Sequence, residues 1–270
     1  MPQRSPGSGA LMPRIRQYSG MSDAARIETD VCVIGAGPAG LTCALYTARA
    51  GLDTVVVDGG PSILARNAHL ENVPGFPGGV DAREFLAATR TQVEDTGGRF
   101  VDGFVDGVTR AEGDDRLVAT TADRTVIADS LVAASWKDCS YLEGFPVETT
   151  ERGTKTFLEV DDSGRTGVDG IYATGRIGGK AHQTVVVAGH GAEVGIAVIH
   201  DADVPFYHDW VTPAGYFSDR DRDVPPGCEE IDEAERRERL AASREHRRQL
   251  LDGQPESPAT HPSLRNDGED

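Results

Sequence analysis

The chain has 270 residues and a formal net charge of −17, and only three of its 27 cationic side chains are lysines. An acidic, lysine-poor surface is typical of halophilic proteins, and the lack of a basic stripe disfavours nucleic acid as a partner. No apolar run approaches the roughly 18 residues of a membrane span. No arginine-led segment precedes an apolar signal core, so we expect a soluble, cytoplasmic protein with no membrane partner.

The first elements in chain order form a nucleotide-binding pattern. Residues 1–26 are rich in Pro, Gly, Ser and Arg without periodicity, and we expect them to be disordered. A short apolar strand then runs into Gly35-Ala36-Gly37-Pro38-Ala39-Gly40. In this pattern the first glycine permits a tight turn, the second lets the backbone approach a pyrophosphate, and the third lets helix and strand pack closely. The helix that follows, ended by Gly51, presents its N-terminal N–H groups to the phosphates.

The second strand ends in an acidic residue. Thr54-Val-Val-Val57 precedes Asp58-Gly59, and Asp58 lies 23 residues after Gly35. That spacing lets a carboxylate accept hydrogen bonds from ribose hydroxyls. A glycine-rich surface turn is the alternative interpretation, but strand, turn, helix, strand and acid all occur in the order that a nucleotide site requires. The pattern predicts an α/β, Rossmann-like domain.

The patterns in the middle of the chain predict further strands and two helices. Asp81 with Glu84 forms a capping-box pattern at the start of the first helix, over 81–95. The second helix, over 184–199, is apolar nearly all round, which indicates burial. Gly189, Gly191 and Gly195 would let this second helix pack closely. In chain order we expect a turn-rich crossover over 59–79, a helix over 81–95, a small antiparallel layer from 99–108 and 117–128, a strand over 130–135, a strand over 169–175 and a helix over 184–199.

From Asp201 the composition changes to acidic and aromatic loops. A charged helix is predicted around Glu229–Leu251, within a C-terminal extension over 202–252, and residues 253–270 form a Pro- and Asp-rich tail that we expect to be disordered. The four cysteines have neither the spacing of a redox pair nor that of a zinc site, and the seven histidines are scattered. We therefore expect no metal site.

Three separated blocks of sequence resemble the FAD-binding domain of the thioredoxin reductase-like flavoproteins. The first is Val33-Ile-Gly-Ala-Gly-Pro-Ala-Gly40 with Asp58. The second is Leu70-Glu-Asn-Val-Pro-Gly-Phe-Pro77, and the third is Gly170-Ile-Tyr-Ala-Thr-Gly175 with His182-Gln183. The resemblance covers about residues 27–201. It implies a three-layer FAD/NAD(P)-binding domain with a small antiparallel β layer, followed by the helical extension.

The resemblance implies roles for residues at both ends of the cofactor. Asn72 would hydrogen-bond the isoalloxazine edge, and His182 and Gln183 would approach the ring from the start of the last helix. A helix N-terminus there stabilises the negative charge of a reduced flavin. Gly59 and Gly175 belong to the matching blocks as cofactor-binding positions. The simpler interpretations are that Asn72 caps a turn and that His182-Gln183 only starts a helix.

Two departures from the family pattern matter. Only 33 residues separate Ser135 from Asp169, where the family inserts an NADPH domain that also carries its C-x-x-C pair. One strand-helix-strand unit already needs roughly 30 residues, so we expect both to be missing. Arg176 stands where the family has an aspartate that binds the ribityl chain. It either pairs with the FAD pyrophosphate or points to solvent and weakens binding.

The sequence therefore favours an FAD-dependent oxidoreductase whose electrons come from an external donor or partner. Its flavin would exchange electrons with a diffusible NAD(P)H, a partner protein or a small oxidant. The alternative is a non-catalytic FAD- or nucleotide-binding protein that acts as a redox sensor or a structural flavoprotein. The catalytic residues are unknown; Cys139, close to Lys137, is a weak candidate for a reactive thiol of lowered pKa. A structural or merely exposed cysteine is the simpler interpretation. The resemblance also implies a homodimer formed through the FAD-binding domain.

Overall fold

A computed structural model of the chain describes residues 26–153, 155–251 and 257–258. The two tails that we expect to be disordered therefore lie almost wholly outside the described residues. Arg26 is described, and it is the first residue of a strand rather than part of a tail.

The described residues form eleven strands, four α-helices and three short 3-10 turns. The strands are β1 (Arg26–Ile34), β2 (Thr54–Asp58), β3 (Arg99–Asp102), β4 (Gly107–Arg110), β5 (Leu117–Thr120), β6 (Thr125–Ala133), β7 (Thr149–Arg152), β8 (Lys155–Leu158), β9 (Ile171–Ala173), β10 (Trp210–Pro213) and β11 (Cys228–Ile231). The helices are α1 (Pro38–Arg49), α2 (Ala82–Asp95), α3 (Thr184–Asp201) and α4 (Glu233–Leu251). The 3-10 turns are Ile63–Arg66, Ser140–Leu142 and Ser218–Arg220.

The main sheet joins a parallel part to an antiparallel part through one long strand. Strands β3, β2, β1, β6 and β9 are parallel neighbours in that order. The first half of β6 pairs antiparallel with β5, and β5 with β4. Two predictions are therefore corrected: 130–135 continues β6 rather than forming a strand of its own, and β3 is a parallel edge strand. The turn at 121–124 separates β5 from β6, a break that period-2 alternation alone does not show.

The main sheet is buried on both faces, which gives the domain three layers. Val31 and Val33 face α1 and α3, whereas Cys32 and Ile34 face the antiparallel strands and the segment around Leu142. Successive strand side chains point to opposite faces, so the continuous apolar run at the end of β1, residues 31–34, supplies both cores. This is the α/β Rossmann-like architecture with a small antiparallel layer that the sequence predicts, and it is confirmed.

Local signals set the ends of α1 and α2. Asp81 caps α2 because its carboxylate accepts the N–H of Arg83 at 2.8 Å and that of Glu84 at 3.4 Å. Gly51 follows α1 with φ +86°, a left-handed conformation that glycine adopts without strain. Both predicted boundaries are confirmed.

Helix α3 packs against α1 but is not buried all round. A Cβ on Gly191 or Gly195 would overlap the backbone or a side chain of α1, whereas a Cβ on Gly189 would meet nothing within 4 Å. Gly189 therefore does not serve close packing, contrary to the prediction. Val185 and Val186 are 43% and 45% exposed, so α3 has an apolar outer face that its composition alone does not reveal.

The C-terminal extension is held to the domain by ion pairs and apolar contacts. Arg49 of α1 pairs with Asp209, and Phe206 packs against the core beneath the helices. Strand β11 occupies the start of the segment predicted as helical, so α4 begins at Glu233 instead of Glu229. None of the helices among the described residues is long and apolar enough to cross a membrane.

Candidate nucleotide site

A cavity of about 620 Å³ opens at the carboxyl ends of the parallel strands. Ile34, Val57 and Ala134, which end or follow β1, β2 and β6, form its floor. The connections from β1 and β6 diverge at this edge, and open α/β sheets bind their ligands at such a switch point. The volume lies within the range of small-molecule and cofactor sites, roughly 300–1,000 Å³.

The first turn of α1 forms one wall of the cavity. Gly37 is the N-cap, and it supplies no side chain to occupy the free N–H groups of the turn. Gly35 has φ +114°, and a Cβ on Gly40 would overlap the Gly35 carbonyl oxygen. This turn can therefore be built only with glycine at both positions. Gly35, Ala36, Gly37, Pro38 and Ala39 all line the cavity, while Gly40 lies behind them and fixes the turn.

Asp58 is not part of the cavity wall. One of its oxygens accepts the N–H of Gly60 at 3.0 Å, and the other accepts Arg90 of α2 at 2.9 Å. The Arg90 guanidinium in turn lies 3.8 Å over the Phe100 ring. The neighbouring Gly59 does line the cavity, where a Cβ would meet the ring of Phe104 at 2.9 Å. The predicted ribose carboxylate is thus held just outside the wall.

The structure brings Asn72 and Gln183 together at the opposite end of the cavity. The Asn72 amide nitrogen donates to the Gln183 side-chain oxygen at 2.9 Å, although 111 residues separate them in the chain. Both residues are exposed and both line the cavity. Gln183 is the N-cap of α3 and makes no side-chain cap bond, so its amide faces the cavity and not its own helix. Asn72 therefore does more than cap a local turn.

Arg176 lines the cavity and rests against an aromatic side chain. Its guanidinium lies 4.4 Å over the ring of Trp136, and the Trp136 ring contacts the His182 ring with centroids 4.3 Å apart. All three side chains line the cavity. Partial burial, with the charges of Arg176 and Lys155, lowers the pKa of His182, so the imidazole is neutral at pH 7. No sequence pattern singled out Trp136.

Gly175 lies behind the cavity and connects to a buried histidine. Its Cβ would clash with the Ala39 side chain at 2.6 Å, and its N–H donates to His190 Nδ1 at 3.0 Å. Burial lowers the pKa of His190 to about 4. Nδ1 accepts, so the neutral ring carries its proton on Nε2. Sequence reasoning missed His190 because one histidine in an apolar helix gives no signal of its own.

Cys139 does not have the properties of a reactive thiol. It is half-buried against the core beneath the antiparallel layer and does not line the cavity. Burial and the nearby carboxylates of Asp138 and Glu143 raise its pKa. The expectation of a lowered pKa is therefore wrong, because the charge of the neighbouring Lys137 does not offset these two effects. No group of three potential metal ligands occurs among the residues that the structure describes.

Comparisons with known proteins agree with this geometry. A family described as "FAD binding domain" matches residues 30–70, from β1 to the second sequence block. The thioredoxin reductase of Aquifex aeolicus is 39% identical over 111 residues, which are 39% of this chain and 33% of that protein. Over this region the chain is similar to thioredoxin reductases. It matches only about a third of the length of that curated relative.

Solved structures share the fold of this chain at low sequence identity. A thioredoxin reductase from Gloeobacter violaceus aligns with a TM-score of 0.55 and 20% identity, over 66% of this chain and 96% of that one. An oxidoreductase from Agrobacterium tumefaciens aligns with a TM-score of 0.59 and 16% identity, over 65% and 99%. At these identities the likeness concerns the fold. Between β6 and β9 the described residues of this chain hold a 3-10 turn and the β7–β8 hairpin.

Proposed function

We propose that the cavity holds FAD and that the chain is an FAD-dependent oxidoreductase supplied with electrons from outside. One observation carries the proposal: a single cavity joins the glycine turn of α1 to the Asn72–Gln183 pair at the start of α3. A dinucleotide has an anionic centre and a flat polar ring at one end, and these two walls are complementary to those parts. The cavity offers backbone N–H groups for the first and side-chain amides for the second.

The residues present fit FAD. The first-turn N–H groups of α1 and the positive end of its dipole bind the pyrophosphate, because the glycine turn leaves the approach free of side chains. Gly59 and Phe104 close the adenosine side, and Asp58, oriented by Arg90, lies at the edge of that side. Asn72 and Gln183 hold the polar edge of the ring. When bound, FAD supplies the group that accepts and returns two electrons.

The chain departs from the thioredoxin reductase-like pattern at Arg176 and in the 33-residue segment between Ser135 and Asp169. These departures support a donor outside the chain as the source of the electrons. We propose that the chain has neither an inserted NADPH domain nor a dithiol relay. NAD(P)H would then reach the flavin only as a diffusible donor, unless a partner protein delivers the electrons. Arg176 lies over Trp136 and has no carboxylate partner among the described residues, which leaves its charge available to the anionic cofactor.

The first experiment measures whether the purified protein carries FAD. The protein, prepared in high salt, is expected to be yellow with the absorption bands of a bound flavin, released as FAD on denaturation. Gly37→Val places a branched side chain in the phosphate approach and is expected to weaken FAD binding at least about tenfold, the equivalent of about 1.4 kcal/mol. Gly107→Val is the matched control, because a Cβ on Gly107 of β4 meets nothing within 4 Å. A colourless wild type that rejects added FAD would end this proposal.

A second experiment separates the oxidoreductase from a flavin-binding sensor or structural flavoprotein. Bound FAD is mixed anaerobically with NADH or NADPH, alone and with cell extract, and the flavin absorbance is followed. Loss of the visible bands supports an oxidoreductase. No bleaching with any donor favours the non-catalytic alternative. We also propose that the protein is cytoplasmic and halophilic. A free energy of unfolding that rises with salt concentration would support the halophilic character.

We also propose a homodimer formed through the FAD-binding domain. Val185 and Val186 at the start of α3 are exposed, and Val185 lines a shallow groove with Tyr46 and Phe85. Exposed apolar side chains beside such a groove are typical of protein–protein contacts. Val186→Glu should convert a dimer to a monomer in analytical ultracentrifugation, whereas Val211→Glu on β10, exposed to a similar extent, should not.

A further inference from the structure

Two of the three lysines of this acidic chain lie near one feature, the flavin-side mouth of the cavity, and the third follows in the adjoining turn. Lys137 lines the cavity directly. Lys155 is on β8, whose Leu158 donates its N–H to Ile177 O at 2.8 Å, next to Arg176. Lys180 donates its backbone N–H to Gly175 O at 3.2 Å, on the other side of Arg176. Lys155 also lies near enough to His182 for its charge to lower the pKa of that imidazole, so separate segments bring their lysines toward this edge.

Two arginines complete this cationic group. Arg176 and Arg152 lie on the Phe157 ring, 5.4 Å and 5.3 Å from its centroid. We call Lys137, Arg152, Lys155, Arg176 and Lys180 the cationic rim. Within the described residues none of the five forms an ion pair with a carboxylate. The arginines of α4, by contrast, are largely paired with glutamates of the same region, for example Arg236 with Glu233.

The rim is not required by the fold. Asp138 and Glu151 lie beside it in sequence, and Asp138 accepts the N–H of Ser140 at 3.0 Å. In a chain of net charge −17 the rest of the surface repels anions, so unpaired cations gathered at one edge form a local site of opposite sign. Such a site orients an anionic partner by complementary charge.

The position of the cations indicates the size of the partner. Only Lys137 and Arg176 line the cavity; Arg152, Lys155 and Lys180 do not. A small anion inside the cavity would leave these three side chains unused. A macromolecule laid across the mouth would contact all of them, together with the exposed ring of His182.

We propose that the cationic rim is the docking surface for an acidic electron-transfer protein. This inference rests on the proposed FAD function, because docking places the partner's redox group next to Trp136 and the flavin end of the cavity. In the reaction the partner is oxidised and the bound FAD is reduced. Two electrons come from one two-electron carrier or from two one-electron carriers in turn, and the accompanying protons come from water.

The test measures the sign of the electrostatic potential around Trp136 and does not require flavin activity. The chain has two tryptophans, so Trp210→Phe leaves Trp136 as the only one. Its fluorescence is quenched by iodide or caesium at constant ionic strength, at the lowest salt that keeps the circular dichroism of the fold. Each quenching constant is first divided by that of free N-acetyltryptophanamide with the same ion, because iodide is intrinsically the stronger quencher. A positive rim then predicts iodide quenching at least about twofold above caesium quenching, since a potential near kT changes local ion concentrations by that factor.

Charge reversal locates the effect. Lys137→Glu with Lys155→Glu and Lys180→Glu is expected to abolish the preference for iodide. The control reverses three exposed arginines of α4, Arg237, Arg244 and Arg247, and so makes the same change in net charge away from the cavity wall. The control should keep the preference. Equal quenching by the two ions in the parent, or equal loss in both triple variants, overturns the proposal.

The class of partner is tested with two anions of different size. A 20-residue poly-glutamate peptide should protect Trp136 from acrylamide, with an affinity that falls as salt rises and disappears in the lysine variant. Inorganic pyrophosphate should not protect it. Protection by pyrophosphate alone would assign the rim to a small anion and refute the docking surface. A colourless protein that still binds the peptide would refute the FAD function and not the rim.

Discussion

Adding a single methyl group to α3 should have opposite effects on stability at two neighbouring glycines. Gly189 and Gly191 lie two residues apart on the same helix, but Gly191 faces α1 and Gly189 faces open space. A Cβ on Gly191 would lie 3.0 Å from the carbonyl carbon of Ala39 and still closer to its oxygen, whereas ordinary contacts begin near 3.4 Å. Both partners are backbone atoms of packed helices, so no side-chain rotation can relieve the overlap.

The expected effects have opposite signs. Gly191→Ala overpacks the interface and should cost about 1–3 kcal/mol. Gly189→Ala only restricts the unfolded chain and should stabilise by about 0.5–1 kcal/mol. At about 2–4 °C per kcal/mol for a domain of this size, Tm should fall by about 2–12 °C in the first variant and rise by about 1–4 °C in the second.

Thermal unfolding followed by circular dichroism at one salt concentration measures both variants. Flavin content, measured on the same samples, should fall only in Gly191→Ala, because Ala39 belongs to the turn that faces the pyrophosphate. If Gly191→Ala is as stable as Gly189→Ala, the contact between α1 and α3 is not as close as the structure has it, and the reasoning is wrong.

Three further predictions concern titratable groups. The pKa of His190 is about 4 in the folded protein and about 6.5 when unfolded, so the unfolded chain takes up this proton first as the pH falls. The free energy of unfolding should therefore fall by about 2 kcal/mol between pH 7 and pH 5. Urea titrations of the wild type and His190→Gln should show that this part of the pH dependence disappears in the variant. Asp81→Ala should cost about 1 kcal/mol through loss of the α2 cap, while Asp81→Ser should keep most of it, and equal midpoints in denaturant for the two variants would contradict the cap. Cys139 should react with iodoacetamide at pH 8 more slowly than free cysteine, since its pKa is raised, and a faster reaction would restore it as a reactive thiol.

The sequence alone determined the elements whose causes are local. The glycine turn before α1, the Asp81 cap, the Gly51 terminus and the apolar strand β1 each depend on residues within a few positions of one another. The three sequence blocks also predict which residues meet at the cavity, because parallel strands bring their carboxyl ends to one edge. Each of these local features is caused by residues that are close to it in the sequence.

Only the tertiary structure decided what distant segments do to one another. Arg90 pairs with Asp58 beside the wall, the ring of Trp136 lies under the guanidinium of Arg176, and burial with the carboxylates of Asp138 and Glu143 raises the pKa of Cys139. Such outcomes depend on which side chains the fold places next to a charge or ring, and neither spacing nor periodicity encodes that. The gathering of the lysines at one edge belongs to the same class, because it exists only once β6, β8 and β9 have come together.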